Sequence, residues 1–277
     1  MRRHGRLLVT ATRYTVIGHL HNRFAMVLVA GYIPVWTVLA YLSVPSARVE
    51  FRLRATGQLL RPAGNQLTEI TGALNAVTLI IGFMMFAAAF SGGHFDRRLA
   101  MAGYSRGHLV LAKISALVLA SGAVAIYAAA VTQYLCAPRQ PFLLAAGLFC
   151  AALTYGAVGV ALGSLLRREV EGMFTIVMIS VIDVCLQNPV TSSGSDSSVV
   201  RFLPSYGAVQ ASTAAGFSDT ALPRYLAVQL LWFTAVALIG FLAFQRRTRN
   251  TLSLKAGHSH RRLPEQTVRS CVKETEV

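Results

Sequence analysis

Six apolar stretches dominate this sequence: 24–44, 70–90, 109–134, 141–166, 172–187 and 225–244. Together they hold only two charged residues, Lys113 and Asp183. Crossing the hydrocarbon core of a bilayer takes about 20 apolar residues in helical form. Only a helix satisfies its own backbone polar groups within one such segment. The expected fold is therefore an all-α, polytopic membrane protein with six transmembrane helices. The fifth stretch is short and ends in Gln187-Asn188-Pro189, so its polar end calls for shielding by protein rather than lipid. Composition agrees: charged residues are 13% of the chain, against about 25% in soluble domains, and the mean hydropathy is +0.53. More than 20 mixed residues precede the first stretch, which reads as a span rather than a cleavable leader.

The net charge of +15 would point to nucleic acid in a soluble protein. Here the basic residues flank apolar spans, where lipid headgroups and topology account for them and no nucleic-acid partner is needed. With the N-terminus inside the cell, nineteen Lys and Arg fall on the cytoplasmic side and seven outside. That bias places both termini in the cytoplasm. Arg48, Arg52, Arg54 and Arg61 make the first outer loop the discordant piece.

Residues 1–23 read as a cytoplasmic amphipathic helix lying on the membrane surface. Its basic side carries Arg6 and Arg13, and Leu7, Ala11 and Tyr14 lie roughly opposite, an arrangement suited to anionic membrane lipids. The six-helix domain occupies 24–244. Within it, glycines bracket a short charged stretch between the second and third spans, expected to form about two helical turns. It carries Phe95, Asp96, Arg97, Arg98, Leu99 and Met101, with Tyr104, Ser105 and Arg106 reading as a turn. The segment 188–224 begins polar and flexible (Ser192-Ser193-Gly194-Ser195) and continues apolar from Phe202 to Phe217. That second part is too short to cross and reads as a re-entrant or interfacial element packed on the spans. The basic tail, 245–277, reads as largely disordered.

Catalytic motifs are missing. There is no G-x-x-x-x-G-K-[ST] to cradle nucleotide phosphates, no H-E-x-x-H and no G-x-S-x-G. His94, His108, His258 and His260 have no carboxylate partner at ligand spacing, and the four cysteines are unpaired in pattern. No enzyme activity, metal or cofactor is expected. Gly159-Val160-Ala161-Leu162-Gly163 in the fourth span permits close helix approach. The intramembrane polar residues are Asn75, Asp183 and Gln187. A carboxylate within a bilayer is costly and is a functional candidate by default. Asp183 either lines a substrate path or relays a proton, or it is a structural carboxylate bonded to the loop backbone or an arginine. As the one acid expected within a span, it favours the structural reading and counts against an ion-coupled carrier.

The order of these parts carries a resemblance. An amphipathic N-terminal helix enters the first span through Leu20-His21-Asn22-Arg23, and a charged loop separates spans two and three. Gly163-Ser164-Leu165-Leu166-Arg167-Arg168 leads from span four to five, and Leu203-Pro204-Ser205-Tyr206-Gly207 precedes the last span. Across residues 6–249 this layout resembles the permease subunits of type-2 ABC exporters, in the half-size bacterial form that works beside a separate ATPase. The resemblance implies a bacterial plasma-membrane protein that pairs with a second permease copy or paralogue. It implies an ABC ATPase subunit contacting the N-terminal helix and the loop after span two. Phe95, Asp96, Arg97, Arg98, Leu99 and Met101 would then transmit ATPase movement, with Tyr104, Ser105 and Arg106 completing the coupling element. The family's Gly-Thr is missing from this loop, and Ala102-Gly103-Tyr104 stands near its usual proline. The implied function is export of a hydrophobic or amphipathic substrate. The alternative is a membrane anchor or sensor that recruits a cytoplasmic partner without transporting.

Overall fold

The computed structural model describes residues 9–260 except 11, 15, 19, 20, 22, 55, 56, 102–105, 167, 221 and 222. Side chains are described for these residues outside 24, 93–101, 106–110, 196 and 244–260. The elements in chain order are α1 (Arg23–Leu42), a hairpin of β1 (Phe51–Arg52) and β2 (Leu59–Leu60), α2 (Gly64–Met101), α3 (Arg106–Leu135), α4 (Pro141–Leu165), α5 (Glu169–Gln187), two 3-10 turns (Ser193–Asp196 and Ser198–Phe202), α6 (Tyr206–Phe217) and α7 (Pro223–His260).

Five helices are long and apolar enough to cross a membrane: α1, α2, α3, α4 and α7. The fifth expected span forms a 19-residue helix, α5, but is not one of those five. Glu169 and Glu171 occupy its first turn, where acid suits the helix dipole, and Asp183 and Gln187 are buried near its other end. Consecutive helices are joined alternately at two ends of the bundle. The hairpin, the 136–140 link and α6 share one of them, called here the hairpin end.

α4 is the centre of the bundle, packing on α2, α3, α5, α6 and α7. A helix apolar on all sides belongs in an interior, and most of α4 is buried, from Leu144 through Gly163. Pro141 opens it, at a position where a missing N–H costs nothing. Gly159 and Gly163 lie against the α2 backbone. A Cβ on Gly159 would meet the Gly82 carbonyl and the Phe86 amide nitrogen, and one on Gly163 would stand 2.8 Å from the Phe86 carbonyl oxygen. The G-x-x-x-G stretch is thus the crossing point of the two most buried helices. α1 and α7 instead turn broad apolar faces outward, with Val27, Val35 and Leu42 on one and Leu231, Leu238 and Ile239 on the other. In water such patches would demand a partner; in a bilayer they are lipid-facing surface.

Three expectations need correction. α2 begins at Gly64, six residues before the apolar stretch, because Asn65, Thr68 and Glu69 are buried rather than solvated. α2 also continues through Gly92 and Gly93 to Met101, and α3 already begins at Arg106. The charged stretch is therefore not a separate short helix, and Arg106 opens a helix rather than closing a turn. Two helical glycines cost about 2 kcal/mol together, and Arg97-Arg98-Leu99-Ala100-Met101 is a strongly helix-favouring continuation. α7 runs past Phe244 to His260, since no Pro interrupts it, so the first half of the tail is helical. The first loop holds a hairpin, with Phe51 opposite Leu60 and Gly57 supplying the positive φ of 71°.

Two of the four discordant arginines find partners here. Arg61 pairs with Glu50 at 2.5 Å, and Arg54 donates to the carbonyls of Ser195 and Ser197. Leu53 is buried against Ala214 of α6.

Of the interfacial-helix residues, Arg6, Leu7 and Ala11 lie outside the described residues. Arg13 and Tyr14 are helical and exposed. Tyr104 and Ser105 lie outside the described residues as well. Phe95, Asp96, Arg97, Arg98, Leu99 and Met101 are placed by backbone alone, on the last turns of α2.

Candidate functional site

Two polar stripes at helical spacing meet inside the bundle. On α2, Thr68, Thr71, Asn75 and Thr78 recur at intervals of three and four, so they share a face. On α5, Ser180, Asp183 and Gln187 follow the same spacing, and Asn188 caps the helix. The stripes are joined rung by rung. Asn75 Nδ2 donates to Ser180 Oγ at 3.1 Å, Thr78 Oγ1 and Ser180 Oγ are 2.8 Å apart, and Asn188 Nδ2 donates to Thr71 Oγ1 at 3.1 Å. Every one of these residues is buried.

Asp183 faces away from α2, towards α4 and α6. Its Oδ2 accepts from the Tyr155 hydroxyl at 2.5 Å and from the Ser205 backbone N–H at 2.9 Å, and its Oδ1 accepts from Gln187 Nε2 at 2.8 Å. Gln187 Nε2 also reaches Ser205 Oγ at 2.8 Å. In each of these bonds the Asp183 carboxylate is the acceptor, which matches the inventory of an ionised carboxylate. It stands at the N-terminus of α6, where unpaired N–H groups and the helix dipole favour negative charge.

Gln229 of α7 holds the same helix from the opposite side. Its Oε1 accepts from the Ala208 N–H at 3.0 Å, and its Nε2 donates to the Pro204 carbonyl at 2.8 Å and to Thr154 Oγ1 at 2.7 Å. At its other end α6 is fixed to the 136–140 link, whose Gln140 N–H bonds the Ala215 carbonyl and whose Arg139 pairs with Asp219 at 2.8 Å. The result is a short buried helix clamped at both ends by α4, α5, α7 and the link. The apolar element expected after Phe202 is this helix. The polar segment before it is not irregular: Ser192 and Ser197 cap the two 3-10 turns.

No protein-family model matches this chain, and no curated protein matches it. The site therefore has to be read from its own chemistry. Asp183 is 2% exposed and fully engaged, so it anchors α6. Of the two kinds of contact weighed for it, the geometry contains the bond to the loop backbone. Asn75 and Gln187 join the same network. Among the described residues, no three His, Cys, Asp or Glu side chains gather in a metal-binding set.

Glu69 escaped the sequence reading, standing one residue before the expected second span. It is 0% exposed, and neither carboxylate oxygen has a hydrogen-bond partner among the described residues. It lies close to the 136–140 link, where burial first and Glu69 second push the Cys136 thiol up to about 11. Asp183 is therefore not the only carboxyl inside the bundle.

Proposed function

We propose that this chain is the membrane-spanning permease subunit of an ATP-driven exporter of the type-2 ABC class, with α5 as a sixth span and both termini cytoplasmic. The observation that carries the reading is α6: a buried helix of 12 residues, too short to cross, inserted between the last two long helices and closing one end of the bundle. The resemblance implies a capping element at this place in the chain. Supporting it at the opposite end, α2 continues eleven residues beyond its apolar stretch, which ends at Phe90, and α3 starts three residues before its own at Leu109. Arg98 stands eight residues, about 12 Å of helix, beyond Phe90, a reach that suits Asp96, Arg97 and Arg98 to contact with a cytoplasmic ATPase.

On this reading, ATP is hydrolysed on the partner subunit, and its closure pushes the α2–α3 end and the N-terminal segment. Two paired permeases then switch between inward- and outward-facing arrangements. The substrate is hydrophobic or amphipathic, since the bundle offers few fixed charges. Twelve more basic residues on the α2–α3 side than on the hairpin side support cytoplasmic termini in a bacterial plasma membrane. A reporter fused after Val277 is expected to be active only inside the cell; an outside signal inverts the topology.

The deciding test is to tag the C-terminus, express the chain with its genomic neighbours and purify it in mild detergent. An ABC ATPase is expected in stoichiometric amount. Arg97→Glu with Arg98→Glu should leave insertion intact and abolish substrate-stimulated hydrolysis. A monodisperse, correctly inserted preparation without an ATPase would transfer the reading to an anchor or sensor subunit.

A further inference from the structure

We propose that Glu69 is an ion-binding site of the bundle, taking a small monovalent cation: a proton or an alkali ion. The inference does not rest on the exporter reading. Its ground is a contrast between two buried acids in one fold. Asp183 shows what a structural carboxylate requires here: a hydroxyl, an amide and a backbone N–H, all donating to it. Glu69 has no more exposed surface than Asp183, yet both its oxygens stand without a donor among the described residues. An ionised carboxylate stripped of water without compensation costs far more than any ordinary packing defect. The carboxyl therefore has to carry its compensation with it, and an intramembrane acid in that position is a functional group by default.

Among the described residues, no charge of the chain supplies that compensation. The elements packed against α2 bring few titratable side chains. They are Arg23, Tyr32 and Tyr41 from α1, Lys113, Tyr127 and Tyr134 from α3, Cys136 just beyond it, Cys150 and Tyr155 from α4, Glu169, Glu171, Asp183 and Cys185 from α5, and Tyr206 from α6. Arg23, Glu169 and Glu171 stand at the ends of their helices away from the hairpin. Tyr155 and Asp183 are engaged with each other, and Tyr127 donates to the Ala30 carbonyl. Lys113 lies near the opposite end of α3, about 20 residues or 30 Å of helix from Cys136. At the hairpin end, Arg61 is paired with Glu50, Arg54 with two carbonyls and Arg139 with Asp219, while Arg48 and Arg52 are exposed. Cys136 responds to Glu69 but is a thiol and brings no positive charge. What remains is a cation small enough for a site closed to solvent on every side.

A hydrophobic carbodiimide is the probe. It reacts with a carboxylic acid in an apolar site: the acid's proton passes to a carbodiimide nitrogen and its oxygen adds to the central carbon, with no leaving group. With the full chain in detergent, mass spectrometry is expected to find Glu69 modified, and Glu69→Gln to remove that adduct while Asp183→Asn leaves it. If the ion is a proton alone, raising the pH slows labelling several-fold, and sodium chloride acts no differently from choline chloride. If it is an alkali ion, sodium or potassium slows labelling at fixed pH. Either pattern supports the site. In parallel, the difference in Tm between the wild type and Glu69→Gln should change with pH or with alkali-ion concentration. A folded protein whose Glu69 is never labelled, and whose Tm difference from Glu69→Gln ignores both pH and alkali ions, overturns the proposal. Because neither readout involves an ATPase, its failure leaves the permease reading standing, and the reverse holds too.

Discussion

Gly159→Ala is expected to lower the Tm of the detergent-solubilised protein by several degrees, and Gly159→Leu to prevent accumulation of folded protein. The reason lies in what the added Cβ meets. It runs into the Gly82 carbonyl oxygen and the Phe86 amide nitrogen of α2, which are backbone atoms that no rotamer change can move. The only escape is to push α4 away from α2, opening the contact between the two most buried helices of the bundle. Overpacking of this kind costs about 1–3 kcal/mol for a small insertion and more for a large one. Gly31→Ala is the matched control. Gly31 lies in α1 with nothing within 4 Å of its added Cβ, so the same change should be neutral or raise stability by up to about 1 kcal/mol through helix propensity alone. Equal behaviour of the two variants in thermal melts would show that α2 and α4 do not cross at Gly159.

The sequence carried the helices well because apolar runs and their flanks decide where a chain can sit in a bilayer. The expected start of α4 at Pro141 is the observed one, and the G-x-x-x-G stretch lies on the close crossing it permits. The misses share one cause. A reading based on hydropathy ends a helix where polar residues begin, but Asn65, Thr68 and Glu69 are polar and buried. That hid the first turns of α2 and, with them, the second acid. The stripe Thr68-Thr71-Asn75-Thr78 was visible as a three-and-four repeat. So was Ser180-Asp183-Gln187, and polar residues at helical spacing within an apolar bundle announce buried interfaces: Ser180 meets α2, while Asp183 and Gln187 meet α4 and the start of α6. Which residue would complete Asp183 was not visible. Tyr155 and Ser205 are 28 and 22 residues away, and no local rule pairs them. The roles of Gln140 and Gln229 in holding α6 depend equally on the closed fold.

Asp183 provides the second large effect, and the pattern across substitutions says more than any single one. Asp183→Leu should destabilise the protein by about 3–5 kcal/mol, the usual result of removing one partner from a buried charged network. It strands the Ser205 N–H and removes the short partner of the Tyr155 hydroxyl, each unsatisfied donor worth about 1–3 kcal/mol, while Gln187 keeps its bond to Ser205 Oγ. Asp183→Asn should cost far less, about 1 kcal/mol. An asparagine oxygen in the place of Oδ2 still accepts from Tyr155 and Ser205. The new NH2 group then faces Gln187, whose Oε1 is without a partner. A half-turn of the Gln187 amide would bring that oxygen round to accept, while Ser205 Oγ, now facing Oε1, could donate in its turn. A carboxylate that anchors α6 tolerates this exchange, and transport survives along with the fold. A carboxylate that relays protons or meets substrate does not: Asp183→Asn would then melt like the wild type and yet be inactive. Measuring Tm and transport together on Asp183→Asn and Asp183→Leu separates the two roles. The geometry predicts that both quantities fall together for leucine and that both are retained for asparagine.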